Sequence, residues 1–217
     1  MQDLQQYGAW RADVAASLEG YGNALREAGL IDAAGEQVLA RALGRLRDDR
    51  LSVAFVAEFS RGKTELINAL FFADYGQRIL PSSAGRTTMC PTELLWDAQL
   101  PPCIRLLPIE TRAGQLSLGD YRDDPGAWTV VPLDLDDPGA MHETLRQVSQ
   151  TRHVPVKEAE RYGLFDPQDP DLADSVVADG GIEIPRWRHA IINLPHPLLK
   201  QGLVILDTPG LNAIGTE

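Results

Sequence analysis

The sequence contains few cysteines. Only Cys90 and Cys103 are present, and they form neither a CxxC pair nor a cluster with histidine. This pattern favours two free thiols in a reducing compartment over a disulfide framework or a cysteine-based zinc site.

Long apolar runs are also missing from the sequence. No stretch approaches the ~18 apolar residues that a membrane-spanning helix needs. The first four residues, Met1-Gln2-Asp3-Leu4, show no basic segment followed by an apolar run, so no secretory signal is visible. We expect a soluble cytoplasmic chain, for which membrane contact is possible only through regions outside these 217 residues.

Basic residues are outnumbered by acidic ones. The chain has 20 Lys and Arg against 31 Asp and Glu, a formal net charge of -11. An acidic surface repels a phosphate backbone, so the sequence predicts no nucleic-acid partner, although a local basic pocket for one nucleotide remains compatible with it. A hydrophobic content of 44% predicts a packed core.

The first 50 residues read as a helical segment. Glu36–Arg47 forms a second predicted helix after a glycine-containing break. The first predicted helix, residues 4–28, has apolar residues at spacings of three and four, which predicts that its stripe packs in the core of a helical hairpin: Leu4, Tyr7, Trp10, Val14, Leu18, Tyr21 and Leu25.

A second domain is predicted over residues 51–217, with an α/β fold. Leu51–Val56 is an apolar, partly β-branched run and predicts a buried strand. A loop to Thr64 and a helix over Glu65–Phe72 follow it. Strand, loop and helix in this order are the structural context that a phosphate-binding loop requires.

The remainder of this domain is predicted to hold further strands and an insertion. The region from about 108 to 185 is predicted to be an insertion with surface loops, helical only at Ala140–Gln150 and Lys157–Tyr162. The strands are predicted at Glu93–Trp96, Cys103–Leu107 and Leu203–Leu206, with a strand or hairpin arm over Ile182–Leu194.

The strongest chemical motif ends at Gly62-Lys63-Thr64. Backbone N–H groups of such a loop, together with a helix N-terminus, cradle phosphate oxygens. Gly62 allows the backbone to approach the phosphates, the Lys63 ammonium reaches the β- and γ-phosphates, and the Thr64 hydroxyl binds Mg²⁺. Ala57 occupies the position where the pattern has its first glycine. Between Ala57 and Gly62, the residues predicted to contact the nucleotide are Glu58, Phe59, Ser60 and Arg61.

Two other motifs complete the predicted site. Asp207-Thr208-Pro209-Gly210 follows an apolar strand, where the Asp207 carboxylate can hold Mg²⁺ directly or through water. The Gly210 N–H can contact a γ-phosphate. Gly85-Arg86-Thr87-Thr88 lies in the loop after the first helix of this domain, and a threonine there can complete the Mg²⁺ shell. Asp207-Thr208-Pro209-Gly210 alone is a weak signal, because it is also an ordinary turn sequence, and it becomes strong when paired with the upstream phosphate loop.

With these motifs in this order, residues 50–217 resemble the bacterial dynamin-like GTPases. The resemblance rests on Phe59–Leu70, on Thr87-Thr88-Met89-Cys90-Pro91-Thr92 and on Leu206–Asn212. A helical segment before the GTPase domain is also similar to that family, in which it packs with helices from the far C-terminus.

The resemblance implies a function, roles and partners. It implies GTP and Mg²⁺ as ligands, with Lys63 and Thr64 serving the phosphates and the metal, Ser60 contacting phosphate or a charge-compensating cation, and Thr88 orienting Mg²⁺ and the attacking water. Asp207 and Gly210 would form the second switch. Phe59 stands where eukaryotic dynamins have a glutamine that positions water. The resemblance further implies a homodimer through the GTPase domain and membrane remodelling in the full-length protein, with lipid contact through C-terminal regions.

Other interpretations of the motifs stay open. Guanine is read by a later [NT]KxD motif, and none follows Gly210 before Glu217. We therefore expect an N-terminal fragment of a GTPase domain, with an uncovered strand edge at Leu51–Val56 and weak or no activity by itself. A P-loop ATPase or another GTPase class remains an alternative, because the phosphate loop does not distinguish adenine from guanine. A non-catalytic nucleotide-binding scaffold is the third.

Overall fold

The chain divides into two compact units, Met1–Leu51 and Ser52–Glu217. The computed structural model describes residues 2–47, 50–56, 62–81, 90–169, 172, 176–177 and 180–208. No helix within these ranges is long and apolar enough to cross a bilayer.

The first unit is a hairpin of two helices, α1 (Gln2–Glu27) and α2 (Ala33–Arg47). Leu39 of α2 is buried, and a Cβ atom added at Gly22 of α1 would overlap the Leu39 side chain, so the glycine permits the close approach. Arg26 and Glu36 join the helices by two hydrogen bonds of 2.6 and 2.8 Å. The prediction that the α1 stripe packs in a core is wrong for Trp10 and Tyr21, which are 56% and 61% exposed.

The second unit is built on a mixed six-stranded sheet with the strand order β1-β8-β2-β7-β3-β4, and a separate ribbon pairs β5 with β6. The strands are β1 (Leu51–Phe55), β2 (Thr92–Leu95), β3 (Cys103–Pro108), β4 (Thr129–Pro132), β5 (Thr151–Pro155), β6 (Gly181–Pro185), β7 (Trp187–Asn193) and β8 (Leu203–Asp207). The described helices are α3 (Lys63–Phe71), α4 (Leu118–Arg122), α5 (Pro138–Leu145), α6 (Val156–Arg161) and α7 (Pro197–Lys200).

The centre of the sheet is buried on both faces. Strand β2 pairs parallel to β7 and antiparallel to β8. Successive residues of a strand point to opposite faces. Leu94 therefore joins the apolar cluster that includes Ile67 of α3 and Met141 of α5, whereas Leu95 joins Trp128 on the other face. As a result of this double covering, every residue of β2 is buried, and so is every residue of β7 except Arg188.

Strand β1 differs from its predicted burial. Leu51, Val53 and Val56 are 67%, 38% and 62% exposed, so the prediction of a buried strand is wrong. Within the described sheet, β1 is an outer strand beside β8. An apolar β-branched run therefore specified the strand correctly, but burial depends on neighbours that the run itself does not contain.

The region 108–185 contains more regular structure than predicted. It contributes β4 to the main sheet, and its β5–β6 ribbon packs with α6 around Ile182 and Ile184. The expectation of surface loops is therefore wrong for these parts, whose short elements give weak periodicity. The Asp-Pro-Gly turns begin helical segments here, because Asp124 and Asp137 accept hydrogen bonds from the N–H groups of Gly126 and Ala140.

Candidate functional site

The carboxyl ends of β1 and β8 lie side by side. The hydroxyl of Thr208, directly after β8, donates a hydrogen bond of 2.9 Å to the carbonyl oxygen of Phe55, the last residue of β1. The segment between β1 and α3 and the segment after β8 therefore both begin at this edge of the sheet. Ligands of α/β sheets bind at such an edge.

Helix α3 begins where the sequence motif requires it. Gly62 precedes Lys63 in a left-handed conformation with φ = 80°, and α3 runs from Lys63 to Phe71. A side chain at position 62 would strain this backbone. The N-terminus of α3 thus lies at Lys63 and Thr64, and the positive potential of a helix N-terminus favours a negatively charged ligand.

Thr64 and Asp207 are in direct contact. The Thr64 hydroxyl donates a hydrogen bond of 3.0 Å to Asp207 Oδ2, across 143 residues of sequence. Strand β8 positions Asp207 at its last residue, opposite Thr92 in β2. The structure therefore brings together two residues that the sequence analysis had assigned to one site from separate motifs.

Asp207 is buried, with 3% of its surface exposed. Burial raises the pKa of this carboxyl group, while the hydrogen bond from Thr64 and the positive charge of Lys63 act in the opposite direction. Within the described residues, Asp207 Oδ1 is buried without a hydrogen-bond partner. An unpaired buried carboxylate oxygen is costly, and a ligand that bound to it would remove that cost.

The donor set at this position fits a hard divalent cation. A carboxylate oxygen and a hydroxyl oxygen are ligands that Mg²⁺ takes in proteins, together with water and phosphate oxygens. The described residues contain no group of three or more His, Cys, Asp or Glu that would hold a metal ion by themselves. A cation here would therefore complete its coordination with water or with the phosphates of a bound nucleotide.

The pocket around this pair has walls that the sequence analysis did not assign. Thr92 of β2 and two residues from the region 108–185, Val148 and Ser149, line it. No local signal marks Ser149, because it reaches the pocket only through tertiary packing. The pocket is lined in full by Thr64, Leu80, Pro81, Cys90, Thr92, Val148, Ser149 and Asp207.

Several predicted site residues lie outside the described residues, so their proposed roles stay predictions. They are Glu58, Phe59, Ser60, Arg61, Thr88 and Gly210. Ala57 and Thr87 also lie outside the described residues. Pro81 and Cys90, the described residues on either side of segment 82–89, both line the pocket with Thr64 and Asp207.

The sheet, the helix that begins after Gly62 and the sequence motifs define the class as a P-loop NTPase with an α/β fold. The sequence profile of the dynamin family matches residues 53–217. The chain belongs to the dynamin family, and its matched region is a GTPase domain of the dynamin type. The family assignment made from the motifs is thereby confirmed.

Solved structures of an oligomerised bacterial dynamin pair are also similar to this chain. One has 19% identity and a TM-score of 0.43, covering 83% of this chain and 20% of that chain. The other has 14% identity and a TM-score of 0.32, covering 94% of this chain and 29% of that chain. That oligomerised pair was described as providing a mechanism for the long-range sensing and tethering of membranes. No curated protein matches the chain.

Proposed function

We propose that this domain binds GTP with Mg²⁺ and hydrolyses it in the full-length protein. The observation that carries the proposal is the contact between Thr64 and Asp207, with the second oxygen of Asp207 buried and unpaired among the described residues. Membership of the dynamin family makes GTP the expected nucleotide.

The proposed roles follow from the chemistry of the residues. Lys63 and the N–H groups at the start of α3 bind the β- and γ-phosphates, and Thr64 and Asp207 hold the metal ion. Bound Mg²⁺ would neutralise charge that develops on the phosphoryl group. Ser60 contacts phosphate or a charge-compensating cation, Gly210 contacts the γ-phosphate, and Thr88 orients the attacking water in this proposal.

The wider role is proposed at the level of the whole protein. We propose homodimerisation through the GTPase domain, coupled to membrane remodelling through regions outside these 217 residues. The supporting observation is membership of the dynamin family. A cytoplasmic protein with peripheral contact at the inner membrane is the corresponding localisation.

The test replaces Lys63 in the full-length protein. Lys63→Ala removes the ammonium group that would contact the β- and γ-phosphates, so GTP turnover should fall by at least about 100-fold, as expected when a charge-stabilising group is lost. The matched control is Lys157→Ala, which removes an exposed lysine of α6. Release of phosphate from GTP is measured with and without Mg²⁺. Equal turnover in Lys63→Ala and wild type would refute the proposal.

The base is tested separately. Unlabelled GTP and ATP compete against a fluorescent GTP analogue on the full-length protein, and GTP should displace it at least about tenfold more efficiently, a difference of ~1.4 kcal/mol. Equal displacement by ATP would favour the alternative, a P-loop ATPase. Nucleotide binding without any turnover would favour a non-catalytic scaffold.

A further inference from the structure

Asn68 is a buried polar residue in α3, with 6% of its surface exposed. Its Oδ1 accepts hydrogen bonds from the N–H groups of Ile79 (3.2 Å) and Leu80 (2.8 Å). Its Nδ2 donates a bond of 3.0 Å to the Leu80 carbonyl oxygen. One amide thus satisfies three backbone groups of a segment that belongs to no helix or strand.

The same segment is held from a second side by α5. His142 Nδ1 lies 3.0 Å from the Ile79 carbonyl oxygen, and because a carbonyl only accepts, Nδ1 is the protonated nitrogen in this contact. Side chains therefore engage all four backbone polar groups of Ile79 and Leu80. The position of these two residues depends on Asn68 and His142 rather than on a backbone ladder.

Asn68 and Thr64 lie on one face of α3. Residues four apart in a helix are neighbours on its surface. The first turn of this face contacts Asp207 through Thr64, and the next turn contacts Leu80 through Asn68. Leu80 and Pro81 line the pocket that Thr64 and Asp207 also line. The Asn68 amide therefore sets the distance between that wall of the pocket and the Thr64 hydroxyl.

We propose that Asn68 is a positioning residue for nucleotide hydrolysis, and the proposal rests on the function proposed above. Asn68 itself touches neither phosphate nor metal. It fixes the Ile79–Pro81 wall against the first turn of α3, so that the groups around Thr64 keep the geometry that the reaction needs. Loss of the Asn68 amide should lower kcat more than it weakens nucleotide binding. A displacement of a reacting group by about 1 Å costs on the order of 100-fold in rate.

Asn193 provides a matched control. It is fully buried in β7, and its amide makes four hydrogen bonds to backbone groups of the segment 97–101, at Asp97, Leu100 and Pro101. Asn193 pairs with Leu95, whereas Asp207 pairs with Thr92, so the two lie at opposite ends of β2. Removing either amide leaves backbone groups without their partner and should lower stability. The groups released by Asn68 belong to buried residues, whereas Asp97 and Leu100 are partly exposed and Pro101 is exposed. Only Asn68 lies next to the proposed site.

The experiment measures kcat, KM and the thermal midpoint for Asn68→Ala, Asn68→Ser and Asn193→Ala in the full-length protein, at a temperature where each is folded. We expect a loss in kcat of about 10- to 100-fold for Asn68→Ala, with KM within about threefold of wild type. Asn193→Ala should keep its kcat despite a lower midpoint. His142→Ala, a milder variant, should also lower kcat. It tests the positioning role if Asn68→Ala does not fold.

The outcomes separate the two proposals. If the wild-type protein shows no turnover, the proposed function fails. If the wild type turns over GTP and the Asn68 and His142 variants keep wild-type kcat, the positioning role is wrong and the function stands. An equal loss of kcat in Asn68→Ala and Asn193→Ala would also overturn it, because it would reflect lower stability alone.

Discussion

The Thr64 hydroxyl donates a hydrogen bond to Asp207, which lies 143 residues further along the chain. The contact connects the first turn of α3 to the end of β8. It also leaves Asp207 Oδ1 buried and without a hydrogen-bond partner in the described structure. A carboxylate kept in this state lowers the stability of the ligand-free fold, and such a cost is typical of functional sites.

Replacing Asp207 by Asn should separate stability from metal binding. Burial raises the pKa of the Asp207 carboxyl group, so its charged form lowers the stability of the ligand-free protein. The neutral amide removes this charge, and the ligand-free variant should be at least as stable as wild type. The Mg²⁺ concentration for half-maximal nucleotide binding should rise at least about tenfold, because the charged ligand is lost. Thermal unfolding and a Mg²⁺ titration measure the two effects. Lower stability with unchanged Mg²⁺ dependence would contradict the assignment.

Glu93 of β2 should be important for stability at neutral pH. It is buried, pairs with Arg122 of α4 and lies 3.3 Å from His189 Nε2. Burial alone would raise the pKa of Glu93, but the contact with His189 and the charge of Arg122 outweigh it, and the pKa is lowered. Glu93→Gln should lower the free energy of unfolding by about 1 kcal/mol or slightly more, since Arg122 is partly exposed.

The pH dependence of this effect has a defined sign. A carboxyl group whose pKa is lowered in the fold stabilises the protein above its unfolded pKa of about 4.3 and loses this contribution as the pH falls through the lowered value. The difference between wild type and Glu93→Gln should therefore shrink below about pH 4. Urea unfolding at a series of pH values measures it. Glu143→Gln, at an exposed pair with Arg146, is the control and should change little. A pH-independent difference would contradict the ion-pair explanation.

The two cysteines should react slowly with thiol reagents in the folded protein. Both are buried, and burial raises the pKa of each thiol, so little nucleophilic thiolate is present at neutral pH. Alkylation by iodoacetamide, followed by mass spectrometry, should label both only after denaturation. Rapid labelling of Cys90 in the native protein would show that its surroundings open, since it lines the candidate pocket.

Two glycines of α1 should respond oppositely to alanine. Gly20 has open space around an added Cβ, so Gly20→Ala should raise the free energy of unfolding by roughly 0.5–1 kcal/mol through better helix propensity. At Gly22 the added methyl group would overlap Leu39, and the overpacking should outweigh this gain. Denaturant midpoints of the two variants compare them directly. Equal midpoints would mean that Leu39 moves aside without cost.

The sequence predicted the local features of the second unit well where a continuous pattern was present. Leu203–Leu206 predicted β8, and the helix predicted over Glu65–Phe72 is α3, which begins two residues earlier, at Lys63. Prediction failed for β4, a four-residue strand that lies within the region expected to form surface loops. It also failed for the burial of β1, because exposure depends on which strands and helices lie beside a strand.

Local sequence was sufficient to determine the phosphate-loop motif, the strand that ends at Asp207 and the family to which the chain belongs, because these depend on residue types at fixed spacings. Only the tertiary structure decided that Thr64 meets Asp207, that Ser149 lines their pocket and that Asn68 holds Leu80. Such contacts join residues that are distant along the chain, or residues that a loop separates. They arise from the packing of α3, α5 and the sheet, for which a single sequence carries no local pattern.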